Sequence, residues 1–150
     1  MAIIFLSACN NDDHKVLLMN DQAALPSKFD FDKLGLKVMA AFSNKKAASI
    51  SILYANPIAL SNAIKATGRQ VEGGVFAFVT WKKQADAHWF GANIPGALQS
   101  VELIKINKGK TGVSTAYQKY NGRELLAIRD TLGQNARISY ILDRQSSIMP

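Results

Sequence analysis

"VFAFVTW", residues 75–81, is the stretch that decides the fold of this chain. Most of its residues are β-branched or aromatic, the types that favour a β-strand. Apolar side chains occupy both alternating sets of positions, so both faces of the strand are expected to be buried. The stretch therefore predicts the central strand of a sheet.

The residues before this strand predict a hairpin and a short helix. Residues 37–42 and 48–54 flank the polar segment 43–46, and the second run alternates small polar with apolar side chains, which predicts a hairpin with one buried face. Pro57 then precedes residues 58–66, which are expected to form a short helix because proline favours a first helical turn.

The residues after the strand complete the predicted fold. Residues 82–99 contain Gly and Pro and are expected to be irregular, whereas residues 100–106 and 113–120 are expected to form strands. Residues 135–148 place apolar side chains near one face of a helix. The prediction is an α+β domain, with a largely antiparallel β-sheet, a short mid-chain helix and a C-terminal helix.

Composition places the chain among globular proteins with one core. It has 150 residues, of which 48% are hydrophobic and 19% are charged, and this argues against a disordered or membrane-spanning protein. The formal net charge is +7, but no basic run exceeds the pairs Lys45-Lys46 and Lys82-Lys83. Nucleic acid is therefore not favoured as a partner, because it requires clustered cations.

The only cysteine, Cys9, follows Leu-Ser-Ala in a short apolar start. Residues 6–9 resemble the lipobox of bacterial lipoproteins, in which the cysteine is diacylated with fatty acids such as palmitate before the signal peptide is removed. Residues 1–9 are accordingly interpreted as the remnant of a lipoprotein signal. A complete secretory signal also has a positively charged start and a longer apolar stretch, which residues 1–8 do not contain. The alternative is a chance match in a cytosolic protein.

Residues 10–35 are interpreted as a polar tether and lead-in to a domain that spans residues 36–150. Asn10 follows the cysteine where an aspartate would favour retention at the inner membrane of enteric bacteria. The resemblance to lipoproteins therefore implies an outer-membrane protein that faces the periplasm. With lipid on Cys9, the chain has no thiol for a disulfide, a metal site or nucleophilic catalysis.

Known catalytic motifs are absent from the sequence. Gly109, Lys110 and Thr111 lack the upstream glycine of a phosphate-binding loop and are interpreted as a β-turn. His88 is the only histidine after the tether, and it lies two residues from Asp86. It is interpreted as a structural side chain, with a haem or metal ligand and a general base as alternatives. No metal site is expected, because a stable site takes three or four ligands.

Aromatic residues surround His88. Trp89 and Phe90 follow it, and Trp81 ends the central strand. They are interpreted mainly as a small core that holds the long loop in place, with a ligand platform as the alternative. The candidate ligand-binding or cofactor-binding residues are His88, Trp89, Phe90, Trp81 and Asp86.

Three segments carry a resemblance to a known family: "ISILYANPIA" (50–59), "GGVFAFVTWKKQADAHWFGANIPG" (73–96) and "ARISYILDRQSSIMP" (136–150). Their order resembles a branch of the cytochrome P460 family, small periplasmic proteins of antiparallel α+β type, over roughly residues 36–150. Members of this family bind c-type haem through Cys-x-x-Cys-His, and a lysine cross-links the haem. The domain has no cysteine, so the resemblance implies a haem-free member.

The combined expectation is a lipid-anchored periplasmic module that binds a protein or small molecule through the loop at residues 82–96 and acts without catalysis. One alternative is a redox or gas-binding protein, with haem held non-covalently by His88. Another is a small periplasmic enzyme that uses Asp86 and His88 as an acid–base pair. The membrane is expected as a partner through the lipid on Cys9.

Overall fold

The computed structural model describes residues 20–65, 69–129 and 132–144. The elements are α1 Phe31–Leu34, β1 Lys37–Asn44, β2 Ser49–Ala55, α2 Pro57–Ile64, β3 Val75–Ala85, β4 Asn93–Gly109, β5 Gly112–Asn121, β6 Leu126–Ile128 and α3 Gln134–Asp143. The strands form one six-stranded sheet in chain order, and each pairs antiparallel with the next. The predicted α+β class and the central position of the strand at residues 75–81 are confirmed.

The sheet buries apolar side chains on both faces, as the alternation within β3 predicts. On one face, called the helix face, Phe76 and Phe78 pack with residues of α2 and α3, including the fully buried Ile141. On the other, called the lead-in face, Val79 and Trp81 form a second cluster. Each face of β3 therefore has its own core.

A single buried asparagine joins β2, α2 and β3. The Asn56 side-chain oxygen accepts hydrogen bonds from the backbone N–H of Ala59 (3.0 Å) and of Val75 (3.1 Å), and its amide donates to the Gly73 carbonyl (2.8 Å). The first bond caps α2, and Pro57 occupies the first helical position, where its missing N–H has no consequence. Asn56 thus fixes where the helix begins and where β3 enters the sheet.

The lead-in is packed on the sheet over the part that the structure describes, residues 20–36. Ala23, Leu25, Phe29 and Phe31 lie against the lead-in face. The indole N–H of Trp81 donates to the Ala23 carbonyl at 2.9 Å, which satisfies the polar atom of this buried ring. This segment covers one side of the sheet.

The prediction of an irregular segment at residues 82–99 is wrong. β3 continues to Ala85 and β4 starts at Asn93, so only residues 86–92 form a turn. Pro95 is tolerated because it lies beyond the end of β5, where β4 has one neighbouring strand. At Gly96 a Cβ would lie 2.9 Å from the Gln84 side-chain oxygen, so glycine lets the strands pair closely.

Other differences concern short or terminal elements. The sequence did not predict α1 or β6. The predicted C-terminal helix is confirmed over Gln134–Asp143, and residues 145–148 of that prediction lie outside the described residues. The predicted lipidation site, Cys9, also lies outside them. Among the helices that the structure describes, none is long and apolar enough to cross a membrane.

Candidate functional site

The predicted loop forms the ordered tip of the β3–β4 hairpin. One carboxylate oxygen of Asp86 accepts hydrogen bonds from the backbone N–H of His88 (2.7 Å) and of Trp89 (3.3 Å). The Ala92 N–H donates to the Trp89 carbonyl at 3.0 Å and closes the turn. Asp86 therefore shapes the tip through the backbone, as aspartates commonly do in turns.

The aromatic residues of this region do not form one group. Trp81 is in the core of the lead-in face, whereas 73% of Trp89 and all of Phe90 are exposed to solvent. The expectation that Trp89 and Phe90 form a small core with the loop is wrong, because the Asp86 turn orders the loop without burying either ring. The structure brings Asp86, His88, Trp89 and Phe90 together and places Trp81 elsewhere.

The geometry around His88 does not fit a haem pocket or an enclosed acid–base pair. Its side chain is 76% exposed, and its Nδ1 lies 3.6 Å from the Asp86 carboxylate, beyond ordinary hydrogen-bond length. A haem ligand of the expected kind would point into an apolar pocket, but Trp81 is turned into the core and the other two rings face solvent. These two alternatives therefore receive no support from the geometry.

A cleft on the helix face, called the α3 cleft, is a stronger candidate site than the tip of the β3–β4 hairpin. The sequence analysis did not predict it. It has a volume of about 660 Å³ and lies between the sheet, the β1–β2 hairpin and α3. This volume suits a small organic ligand. Its lining residues are Ala41, Phe42, Ser43, Asn44, Lys45, Lys46, Ala47, Ser49, Ser51, Phe78, Thr80, Gln99, Arg137, Tyr140 and Arg144.

The floor of the cleft is polar because small hydroxyl residues replace the apolar core at this end of the sheet. Ser49 and Ser51 continue the inward-facing positions of β2, and Thr80 lies opposite Ser51 on β3. The hydroxyls of Ser51 and Thr80 share a hydrogen bond of 3.0 Å. Ser49 is only 6% exposed, and its hydroxyl forms no hydrogen bond within the described residues. Buried polar groups usually have a hydrogen-bond partner, so the Ser49 hydroxyl is available to form a hydrogen bond with a ligand in the cleft.

The roof of the cleft is a stack of alternating arginine and aromatic side chains. Arg137, Tyr140 and Arg144 follow each other at helical spacing at the end of the chain. The guanidinium carbon of Arg137 lies 5.3 Å from the ring centre of Phe78 and 4.9 Å from that of Tyr140. The guanidinium carbon of Arg144 lies 4.4 Å from Tyr140 and 5.4 Å from Phe42. Cation–π contacts of this kind hold the guanidinium groups in place.

The guanidinium group of Arg137 forms an ion pair with the buried carboxylate of Glu102. Its Nε and one terminal nitrogen donate to the two oxygens of Glu102 at 2.7 and 2.6 Å, and the Tyr117 hydroxyl donates to the same carboxylate at 2.6 Å. Glu102 is 1% exposed. The hydrogen bonds to Glu102 raise the pKa of Arg137, while burial and then the Glu102 carboxylate raise the pKa of Tyr117. The network fixes α3 over the sheet.

The remaining cations give the cleft a positive potential. Arg144, Lys45 and Lys46 form no ion pair in the part of the chain that the structure describes. None of the described residues that line the cleft is acidic. Unpaired cations beside low-dielectric walls attract anions, and guanidinium groups bind carboxylate and phosphate oxygens with particular geometric preference. The cleft is therefore suited to an oxyanion.

The sequence contained partial signals for this cleft. Two serines at alternate positions in an otherwise apolar strand leave a polar patch on an inward face, and Arg137 and Arg144 lie seven residues apart on one helix face. Neither signal predicts that Lys45 and Lys46 of the β1–β2 turn line the same cleft as α3, because their proximity depends on the tertiary fold.

No group of three or more His, Cys, Asp or Glu side chains that could hold a metal ion occurs among residues 20–65, 69–129 and 132–144. Comparison of the chain with protein-family models and with curated proteins gives no match. The resemblance to the cytochrome P460 family stays a prediction.

Proposed function

We propose that this chain is a lipid-anchored binding module of the bacterial periplasm, and that its ligand is an oxyanion attached to a flat apolar group. The observation that carries the ligand in this proposal is the α3 cleft, where four cationic side chains and no acidic one line a cavity of about 660 Å³. Of these cations, only Arg137 has a carboxylate partner within the described residues. The anchor rests on the resemblance of residues 6–9 to a lipobox.

The polar half of the cleft would bind the oxyanion. Arg144 supplies planar N–H donors, and Lys45 and Lys46 add charge from the β1–β2 turn. The buried Ser49 hydroxyl supplies a short-range donor on the floor. A hydrogen bond to a charged group contributes about 1.5–3 kcal/mol, so two such bonds contribute about 3–6 kcal/mol. Millimolar affinity corresponds to about 4 kcal/mol, and because association has its own cost, burial of the apolar group must add to these bonds.

The apolar half of the cleft would bind the rest of the ligand. Phe42 and Phe78 line it beside the ring of Tyr140. Phe78 is buried, so a planar ring attached to phosphate or carboxylate would contact the more exposed rings of Phe42 and Tyr140, in the offset or edge arrangements that aromatic pairs favour. Binding would then discriminate an aromatic phosphate from inorganic phosphate through the buried apolar area.

Calorimetry with phenyl phosphate tests the cleft. We expect saturable binding at one equivalent, weakened about tenfold or more by Arg144→Met and by the double variant Lys45→Ala/Lys46→Ala. The matched control is Lys108→Ala/Lys110→Ala, which removes the same charge from the exposed β4–β5 turn. Equal weakening by both double variants would show a general charge effect and would contradict the site, as would the absence of binding.

The anchor is tested separately on protein isolated from the cells that make it. Mass spectrometry should find an N-terminal peptide that begins at Cys9 and carries diacylglyceryl and fatty-acyl groups. An unmodified Cys9 in a peptide that continues upstream would contradict the anchor and leave the cleft proposal intact.

A further inference from the structure

The tip of the β3–β4 hairpin is a second surface, distinct from the cleft, and we infer that Trp89 and Phe90 insert into the interfacial layer of the membrane that holds the lipid on Cys9. The orientation in this inference rests on the proposed anchor. The insertion itself is a property of the tip and can be tested without the anchor.

The hairpin extends beyond its neighbours in the sheet. β2 begins at Ser49, which pairs with Lys82, and β5 ends at Asn121, which pairs with Ser100. The Lys83 N–H still donates to the Ala48 carbonyl at 2.7 Å, and beyond Lys83 β3 pairs with β4 alone, up to Ala85 and Asn93. The two aromatic residues therefore lie at the end of a projecting two-stranded ribbon.

The tip exposes apolar surface in a fixed shape. Trp89 is 73% exposed and Phe90 is fully exposed, although the domain has two cores that bury other aromatic rings. The Asp86 carboxylate holds the turn through the N–H groups of His88 and Trp89. A preformed turn loses little conformational freedom on binding, so contact with a bilayer would not require refolding.

The chain enters the described fold beside this hairpin. The side-chain amide of Asn20 donates to the Pro95 carbonyl at 2.7 Å. Pro95 is five residues from Phe90, so it lies at most about 18 Å from the tip, the reach of five fully extended residues. Cys9 precedes Asn20 by eleven residues, which can span at most about 40 Å. A lipid on Cys9 could thus enter the same bilayer that the tip touches.

The chemistry of the hairpin suits the interface between headgroups and acyl chains. Tryptophan concentrates at this depth in membrane proteins because its ring is amphipathic. Lys82 and Lys83 lie on the shaft behind the tip, where they would face anionic headgroups. Asp86 is the only acidic residue among residues 82–96, and its carboxylate is engaged by the turn.

Binding to defined vesicles tests the inference. The full chain with Cys9→Ser, which cannot carry the lipid, is mixed with vesicles of phosphatidylcholine and phosphatidylglycerol and then sedimented. We expect the partition coefficient to fall at least tenfold in Trp89→Ser/Phe90→Ser and to stay unchanged in Leu126→Ser. Leu126 is the control because it is 62% exposed on β6.

Fluorescence locates the contact. With lipids brominated near the headgroup, the emission of Trp89 should be quenched and shifted to shorter wavelength, while the buried Trp81 stays unquenched. Absence of sedimentation, or equal loss in the Leu126→Ser control, would overturn the inference. In calorimetry, Trp89→Ser/Phe90→Ser should bind phenyl phosphate as the unaltered chain does, because the α3 cleft is unchanged. Failure of the membrane contact can then be distinguished from failure of the proposed ligand site.

Discussion

Replacement of Arg137 by methionine should be the most destabilising single change at the α3 cleft. Arg137→Met keeps an unbranched side chain between Phe78 and Tyr140 but removes both N–H donors to Glu102. Glu102 is 1% exposed and would retain only the Tyr117 hydroxyl as a donor within the described residues. The variant thus leaves a buried carboxylate without its cation.

The expected magnitude follows from this geometry. Loss of one partner of a buried ion pair costs about 3–5 kcal/mol of unfolding free energy. For a domain of this size, each kcal/mol lowers Tm by about 2–4 °C, so Tm should fall by roughly 6–20 °C. Arg144→Met is the matched control, because Arg144 also stacks on Tyr140 but has no carboxylate partner in the described chain. Its expected cost is about 1 kcal/mol or less.

Urea unfolding of the single and double variants provides the assay. Glu102→Gln removes the buried charge, so the double variant Glu102→Gln/Arg137→Met should be more stable than the sum of the single effects by at least about 1 kcal/mol. Additive effects, or an Arg137→Met cost no larger than that of Arg144→Met, would refute the argument that this ion pair holds α3 on the sheet.

Two further predictions concern Asn56 and Tyr117. Asn56→Ala should lower the unfolding free energy by about 2–4 kcal/mol in urea unfolding, since it removes the α2 cap and leaves the Val75 N–H and the Gly73 carbonyl without their buried partner; a cost below about 1 kcal/mol would contradict this. Because the pKa of Tyr117 is raised in the folded state, its contribution to the unfolding free energy is complete below the unfolded pKa near 10 and is lost as pH rises above that value. In thermal unfolding between pH 9 and 11, Tyr117→Phe should therefore lose less stability with rising pH than the unaltered chain, and equal slopes would contradict the assignment.

Local sequence patterns predicted the central part of the fold well. β2 was predicted because small polar and apolar residues alternate in it, and β3 because β-branched and aromatic residues dominate it. α2 was predicted because proline favours a first helical turn. These signals depend on a few neighbouring residues. They can therefore be recognised in the sequence without knowledge of the tertiary contacts.

The β3–β4 hairpin shows where local signals fail. Pro95 and Gly96 would end a strand inside a sheet, but here Pro95 lies past the end of β5 and Gly96 allows the Gln84 side chain to pack closely. Their meaning depends on which strands are adjacent, which residues 82–99 do not encode. For the same reason the alternation in this segment was too weak to extend the predicted strands.

The candidate site was less predictable than the fold. Tertiary structure separates Trp81 from the exposed Trp89 and brings Lys45 beside Arg144, which is 99 residues away in the sequence. The sequence did not predict the burial of Glu102 either, since a lone glutamate in a strand usually faces solvent. Its burial is explained by its two partners, Arg137 on α3 and the Tyr117 hydroxyl on β5.

An NMR titration of the uniformly ¹⁵N-labelled chain with phenyl phosphate tests the central claim most directly, because it shows both binding and place. The account predicts that the largest shifts occur at the amides of Ser49, Ser51 and Thr80 and at the side-chain Nε of Arg144, with little change at the β4–β5 turn. Shifts that spread over exposed lysines throughout the domain, or no shifts at millimolar phenyl phosphate, would contradict a binding site in the α3 cleft.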